Sequence, residues 1–313
     1  MKAIGFDQPG GPEVLRVVEV PEPHAGPGQV RIRVRAAAVN PSDLVTRSGL
    51  AHDRYRDVTP PYVPGWEAAG VVDEADPDTG WKPGDEVLAI TRPVLEGGGA
   101  YAERIVVPAA SVVRVPAGAG FAAASTLPMN GLTARLALDA AGAARTIAVT
   151  GAAGAVGGYA VQLAKNAGLS VIADAAPKDE ALVAELGADI VVPRGDDIAE
   201  RIREHFPDGV DALVDGSLQR HLVLPAIRDH GAYIALRTPS IGGGVEPERG
   251  IGVHYVLVTD YIDETEKLDE LRKLAETGAL TLRVARTLPC TEAAQAHRLL
   301  EAGGLRGRLV LEF

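Results

Sequence analysis

Three glycines mark the place where this sequence can do chemistry. Gly151, Gly154 and Gly157 stand three apart in TIAVTGAAGAVGGYAVQLAKNAG, after a short β-like run and before a helical pattern. Glycines so spaced permit a tight turn, close approach of the backbone to a pyrophosphate, and tight helix–strand packing. The free N–H groups at the helix start, at Ala155 and Val156, then face the phosphates. A glycine-rich turn also forms without a ligand, so the motif alone is weak. Here strand, turn, helix and second strand stand in order, and the segment reads as a dinucleotide site. Asp174 follows the second strand, seventeen residues past Gly157. A carboxylate there binds the ribose hydroxyls of NAD and repels a 2′-phosphate. Lys178 and Arg194 lie near the same edge and can pair with the 2′-phosphate of NADP. Their bland reading is a solvated helix face and a loop. NADP(H) is taken as the cofactor, with NAD(H) kept open by Asp174.

The elements around this turn form a βαβ rhythm. Ile147 to Thr150 reads as a buried strand and Val156 to Ala167 as a helix with one apolar face. Val171 to Ala173, Ile190 to Val192, Ala212 to Val214 and Tyr233 to Leu236 are further short apolar runs, which argues for a parallel sheet covered on both faces. The chain before residue 119 is different. Val30, Ile32 and Val34 alternate with Arg31, Arg33 and Arg35, the pattern of a half-buried strand. Pro-Gly turn signals recur at residues 27, 64 and 83, so a β-rich domain is expected there. The tail shows two amphipathic helices, Asp263 to Glu276 and Thr291 to Ala302, and a terminal strand. The expected division is 1–118, 119–255 and 256–313, the last segment returning to the first domain.

Composition narrows the function classes. The chain has 313 residues with 46% hydrophobic and 23% charged, enough apolar material for two cores. Its net charge of −11 disfavours nucleic acid and anionic membranes as partners. One cysteine, Cys290, excludes an internal disulfide and a Cys-rich zinc site, and its setting suits a small semi-buried filler better than a nucleophile. The uncharged stretch from Thr146 to Ala164 is long enough to raise a membrane span, but its glycine cluster fits strand, turn and helix better. The first residues carry no apolar signal-peptide core, so a cytoplasmic protein is expected.

Several segments taken together resemble one family. AAAVNPSDLVTRSGL, PPYVPGWEAAGVV, KPGDEVLA, GGGAYAER, LPMNGLTA, VTGAAGAVGGYAVQLAK and EAAQAHRLLEAGGLRGRLVL follow the order seen in the medium-chain dehydrogenases/reductases. Each match is weak, and their order makes the assignment specific. The nearest subgroup looks like the zinc-independent quinone oxidoreductases and related enone reductases. The resemblance implies an α/β fold: a GroES-like β domain plus a Rossmann domain with a doubly wound parallel sheet, in a homodimer. It implies that Asn40 reaches the nicotinamide ribose and the acceptor, its amide donating to a carbonyl oxygen, and that Asp43 orients the loop. Asn-Pro-Ser-Asp is equally a strong turn signal. The match also implies that Thr133, Gly216, Leu236, Arg237 and Thr238 lie near the cofactor. Arg47 is placed at the mouth of the site, and Arg308 is read as a surface charge.

Zinc-dependent relatives place ligands at positions matching Asn40 and Gly65-Trp66-Glu67. Trp66 cannot ligate, and a lone carboxylate does not make a zinc site, so no metal is expected. Relatives often carry a tyrosine two residues after the Asp, where this chain has Val45. Quinone reduction tolerates that, because water can protonate the hydroquinone oxygens. The leading reading is an NAD(P)H-dependent reductase of quinones or conjugated carbonyls. An enoyl-thioester reductase of polyketide or fatty-acid type and a non-catalytic NADPH-binding protein stand as alternatives.

Overall fold

The computed structural model describes residues 1–94 and 98–313. Gly97, where the GGGAYAER match begins, lies outside them. The chain forms two compact units. One comprises Met1–Met129, Thr259–Thr277 and Leu282–Phe313; the other comprises Asn130–Val258 and Gly278–Thr281.

The first unit is built on a seven-stranded sheet. Its order is Val284–Pro289, Arg308–Glu312, Gln29–Val39, Glu67–Ala75, Glu86–Ile90 and Val112–Arg114, with Arg104–Pro108 also pairing Gln29–Val39. In Gln29–Val39, Val30, Ile32 and Val34 are buried while Arg33 and Arg35 are exposed. From Ala36 onward both faces are covered, so the alternation gives way to a run of small residues. Arg31 on the wet face meets Asp73 at 2.7 Å, and Asp73 also accepts from Arg104 at 3.0 Å. The tail contributes two strands to this sheet: Val284–Pro289 and Arg308–Glu312 run parallel, joined through the helix Ala293–Ala302, and Leu309 pairs with Val39. Phe6, Ile32, Ile105 and Tyr101 sit at the centre of the core.

The second unit holds a six-stranded sheet, parallel throughout. Counted along the chain, its strands are Thr146–Thr150, Ser170–Ala175, Ile190–Pro193, Val210–Asp215, Ile227–Ala235 and Gly252–Tyr255. They lie in the order third, second, first, fourth, fifth, sixth. That is the doubly wound dinucleotide-binding order, which reverses between the first and fourth strands. The uncharged stretch from Thr146 to Ala164 resolves into strand, turn and helix, and among the described residues no helix is long and apolar enough to cross a membrane. The crossovers after the fourth strand are less regular than the sequence suggests. Two 3-10 turns, Arg220–Leu222 and Leu224–Ala226, stand where a helix is usual. The sixth strand, Gly252–Tyr255, escapes sequence reading because it is short and begins with glycine.

Candidate active site

In the second unit, the predicted nucleotide residues gather at the carboxyl ends of the strands, beside the reversal point. Thr150 ends the first strand, and the helix Ala155–Asn166 begins four residues after Gly151. Gly151 has φ of +67°, a backbone state that favours glycine, and a Cβ on it would fall 2.9 Å from the Gly216 carbonyl carbon. At Gly157 a Cβ would stand 2.3 Å from the Gly151 carbonyl oxygen, so only glycine lets the helix sit this close to the turn. Gly154 is the N-cap with no side-chain cap, which leaves the first N–H groups of the helix for an anion.

Asp174, in the second strand, is 3% exposed. Its Oδ1 accepts from the Ala152 N–H at 3.2 Å, while Oδ2 is buried with no hydrogen-bond partner among the described residues. Burial raises its pKa, against the pull of the Ala152 N–H and the Arg194 charge. The Arg194 N–H donates to the Ala175 carbonyl at 2.9 Å, and Lys178 stands exposed in the 3-10 turn Pro177–Asp179. Leu236, Arg237 and Thr238 follow the fifth strand, each half-buried. Thr133 lies apart from this group in sequence, half-buried in the helix Pro128–Ala140.

One residue here was not anticipated. Asp215 ends the fourth strand, fully buried. It accepts from the Thr150 and Tyr233 hydroxyls, both at 2.8 Å, and from the N–H groups of Gln219 at 3.0 Å and Arg220 at 2.7 Å. It thereby fastens the loop that begins at Gly216 to the end of the first strand. An acidic residue closing the apolar run VDALVD was the available signal.

The first unit carries a separate buried polar group. Asn40 caps the helix Pro41–Ser48, favoured by Pro41 at its first position and by Gly49, at φ of 86°, as its C-cap. The Asn40 N–H donates to Asp43 Oδ2 at 2.8 Å, and the Gly65 N–H donates to Asp43 Oδ1 at 2.9 Å. Asp43 therefore ties the helix start to the Pro64-Gly65 turn. The Asn40 amide donates to Glu67 Oε1 at 2.8 Å, and the Met129 N–H donates to Glu67 Oε2 at 2.7 Å. Burial lifts both Asp43 and Glu67 to about 7, opposed by their hydrogen bonds and by the Arg308 charge. The Tyr101 hydroxyl bridges Asp43 at 3.3 Å and His297 Nε2 at 3.4 Å. Burial pushes the His297 imidazole down to about 3, with Arg47 adding to the effect.

Two expectations are corrected. Arg308 is 8% exposed and acts electrostatically on Asp43 and Glu67; it is no surface charge. Arg47 does not line an opening: it is 4% exposed and bonds Glu301 at 2.6 Å. The buried Tyr55 hydroxyl donates to the Thr46 carbonyl at 2.6 Å. Cys290 is half-buried, and burial raises its thiol pKa.

A family model described as alcohol dehydrogenase GroES-like domain matches residues 26–117, and one described as zinc-binding dehydrogenase matches residues 186–311. The chain is 37% identical over 205 residues to the chloroplastic quinone-oxidoreductase QR1 of Triphysaria versicolor, covering 61% of this chain and 60% of that protein. It is 31% identical over 330 residues to a 2-haloacrylate reductase of a Burkholderia species, covering 96% of each. A mycobacterial structure complexed with NADPH superposes with a TM-score of 0.85 at 29% identity, covering 100% of both chains. The chain spans about three fifths of the length of the first curated relatives it matches. Zinc does not fit the residues present. Trp66 offers no ligating atom, Asn40 is bonded to Glu67, and among the described residues no three His, Cys, Asp or Glu side chains are placed to hold a metal ion.

Proposed function

This chain belongs to the medium-chain dehydrogenase/reductase superfamily, in its quinone-oxidoreductase-like group, and we propose that it reduces quinones or conjugated carbonyls with a reduced nicotinamide nucleotide. One observation carries the reading: the Gly151–Gly157 turn stands at the reversal point of a parallel sheet, with a half-satisfied buried carboxylate beside it. Gly151, Gly154 and Gly157, with the N–H groups of Ala155 and Val156, would hold the pyrophosphate, and Asp174 the adenosine ribose. When bound, the nucleotide supplies the hydride.

Asp174 supports NAD(H), against the NADP(H) reading taken from the sequence. Its unpartnered Oδ2 suits a ribose hydroxyl, whereas a 2′-phosphate there would meet a buried negative charge. Arg194, close enough to act on Asp174, is the group through which a 2′-phosphate would be accommodated.

Glu67 fixes the orientation of the Asn40 amide, and Asp43 fixes the backbone from which it projects. Quinone reduction balances as one hydride, which carries both electrons, delivered to the quinone, with one proton reaching the charged oxygen from water. The similarity to a 2-haloacrylate reductase supports activated alkenes as a second acceptor class, for which a proton must also reach carbon.

Stopped-flow oxidation of NADH and NADPH with 1,4-benzoquinone, 9,10-phenanthrenequinone, 2-chloroacrylate and a crotonyl thioester tests this. Turnover with the quinones is the expected result. Turnover confined to the thioester would transfer the assignment to enoyl-thioester reduction. Tight nucleotide binding without oxidation by any acceptor would leave only a binding protein.

A further inference from the structure

Thr150 ends the first strand of the second unit, and Gly151 of the glycine turn follows it directly. Its side chain is buried. The hydroxyl donates to Asp215 Oδ1 at 2.8 Å and accepts from the Ser217 N–H at 3.3 Å. The Thr150 carbonyl accepts from the Gly216 N–H at 3.1 Å. One residue therefore holds two successive amides of the loop after the fourth strand. The peptide between those amides lies against the turn. A Cβ on Gly151 would stand 2.9 Å from the Gly216 carbonyl carbon and 3.1 Å from the Ser217 nitrogen. A Cβ on Gly216 would stand 2.5 Å from the Thr150 carbonyl oxygen. The two glycines let the backbones meet, and the peptide joining Gly216 to Ser217 becomes the wall against which Gly151 turns.

Left to itself, this loop would not keep that form. Leu218 and Arg220 have φ of 60° and 56°. Side chains disfavour left-handed backbone, and such residues persist only where their surroundings over-determine them. Ser217 Oγ and Gln219 Oε1 are buried with no hydrogen-bond partner among the described residues, a further cost. Asp215 supplies the offset by accepting from the Gln219 and Arg220 N–H groups. The Thr150 hydroxyl is the side-chain link from that carboxylate to the residue before the turn. A second pair shows the contrast. Thr146, at the other end of the same strand, donates to Asp211 Oδ2 at 3.0 Å and accepts from the Asp211 N–H at 2.9 Å. The same two strands are joined by the same two residue types, but about 13 Å along the strand from Thr150. Asp211 takes its other bonds from Arg145, Arg228 and the Thr146 N–H, none of them in the glycine turn.

We propose that Thr150 is a positioning residue for the nucleotide, its hydroxyl latching the 216–220 loop in the form that sets the path of the glycine turn. The inference rests on the nucleotide-binding reading above. Amides offered to a pyrophosphate bind well when they are already in place, because ordering them on binding would subtract from the affinity. Strained backbone held by its surroundings is one way in which ligand clamps are kept ready. In this role Thr150 acts through Gly216 and Ser217, not by contact with the nucleotide.

The test compares full chains carrying Thr150→Val, Thr150→Ser and Thr146→Val. Valine removes the hydroxyl and serine keeps it, while Thr146→Val makes the same change away from the turn. The readouts are the Kd for NADH by fluorescence titration and the Tm. Thr150→Val should bind NADH about three- to tenfold more weakly, the scale of one lost hydrogen bond. Thr150→Ser and Thr146→Val should both stay within about twofold of wild type, although Thr146→Val also lowers the Tm. A Thr150→Val Kd within about twofold of wild type would overturn the inference, as would equal weakening by Thr146→Val. Amide hydrogen exchange on the wild-type chain needs no variant. The Ser217, Gln219 and Arg220 amides should be protected before NADH is added, and exchange at the rate of an open loop would also overturn the latch. A wild-type chain that binds neither NADH nor NADPH would overturn the nucleotide reading itself, a result seen before any variant is made.

Discussion

Gly157→Ala probes the nucleotide turn most directly. The added Cβ would lie 2.3 Å from the Gly151 carbonyl oxygen, 2.8 Å from its carbon and 2.9 Å from Ala152 Cα. All three are backbone atoms, so no side chain can swing aside. To restore ordinary contact, the turn and the helix start must separate by roughly 1 Å, a forced backbone shift of the kind that costs about 1–3 kcal/mol. At roughly 2–4 °C per kcal/mol for domains of this size, the Tm should fall by about 2–12 °C. The same shift moves the amides that would face the pyrophosphate. Losing charge-assisted hydrogen bonds of about 1.5–3 kcal/mol corresponds to NADH binding weaker by roughly 10- to 100-fold. Gly154→Ala is the internal control. Gly154 has φ of −73°, and its Cβ would meet the Gly151 oxygen at 3.0 Å, a contact that a few tenths of an ångström relieve. It should cost less in both assays, which are fluorescence titration of NADH and thermal unfolding. If Gly157→Ala lowers the Tm but binds NADH as tightly as wild type, the phosphates do not sit on this turn. If Gly154→Ala is the more damaging, the close approach of helix and turn has been misjudged.

Asp174→Ser should raise the affinity for NADPH relative to NADH by about tenfold, since one buried negative charge is removed; equal titration curves before and after would show that the ribose is held elsewhere. Asp215→Asn leaves at least one of four buried donors facing an amide N–H, and should cost about 2–4 kcal/mol in urea unfolding, whereas Tyr233→Phe, which removes one donor and keeps three, should cost about 1 kcal/mol. Similar losses for the two would mean the loop is not fastened through Asp215. Glu67 titrates at about 7 in the folded chain and ordinarily at 4.5, so the folded state binds more protons across that window and the contribution of Glu67 to stability declines as pH rises through it. Between pH 5 and pH 8 the wild type should lose about 2 kcal/mol more than Glu67→Gln, and parallel pH profiles for the two would show Glu67 to be ionised throughout.

The candidate nucleotide turn was legible because its signals are local. Gly151, Gly154 and Gly157 lie within seven residues, and their purpose follows from turn geometry and from the start of one helix. The polar group of the first unit was legible only in part. Asn40 and Asp43 belong to one helix cap, which a sequence displays. Their partners do not: Glu67 is 27 residues from Asn40, Tyr101 is 58 from Asp43, and His297 is 196 from Tyr101. Arg308 looked like a surface cation because nothing near it in the chain hints at burial. It is covered because Arg308–Glu312 becomes an interior strand, flanked by Val284–Pro289 and Gln29–Val39.

By itself the sequence determined the fold class, a glycine-rich βα turn of the kind that can seat a dinucleotide, and the loss of a ligating side chain at Trp66. Hydrophobic period, turn chemistry and side-chain type act over a few residues, so they can be read in order along a chain. Only the tertiary structure decided which charges are buried, that Asp174 keeps an unpartnered oxygen, and that Asp215 clasps a loop to the neighbouring strand. Burial and hydrogen-bond satisfaction depend on which distant segments meet, and strand order in a sheet is set by the whole fold.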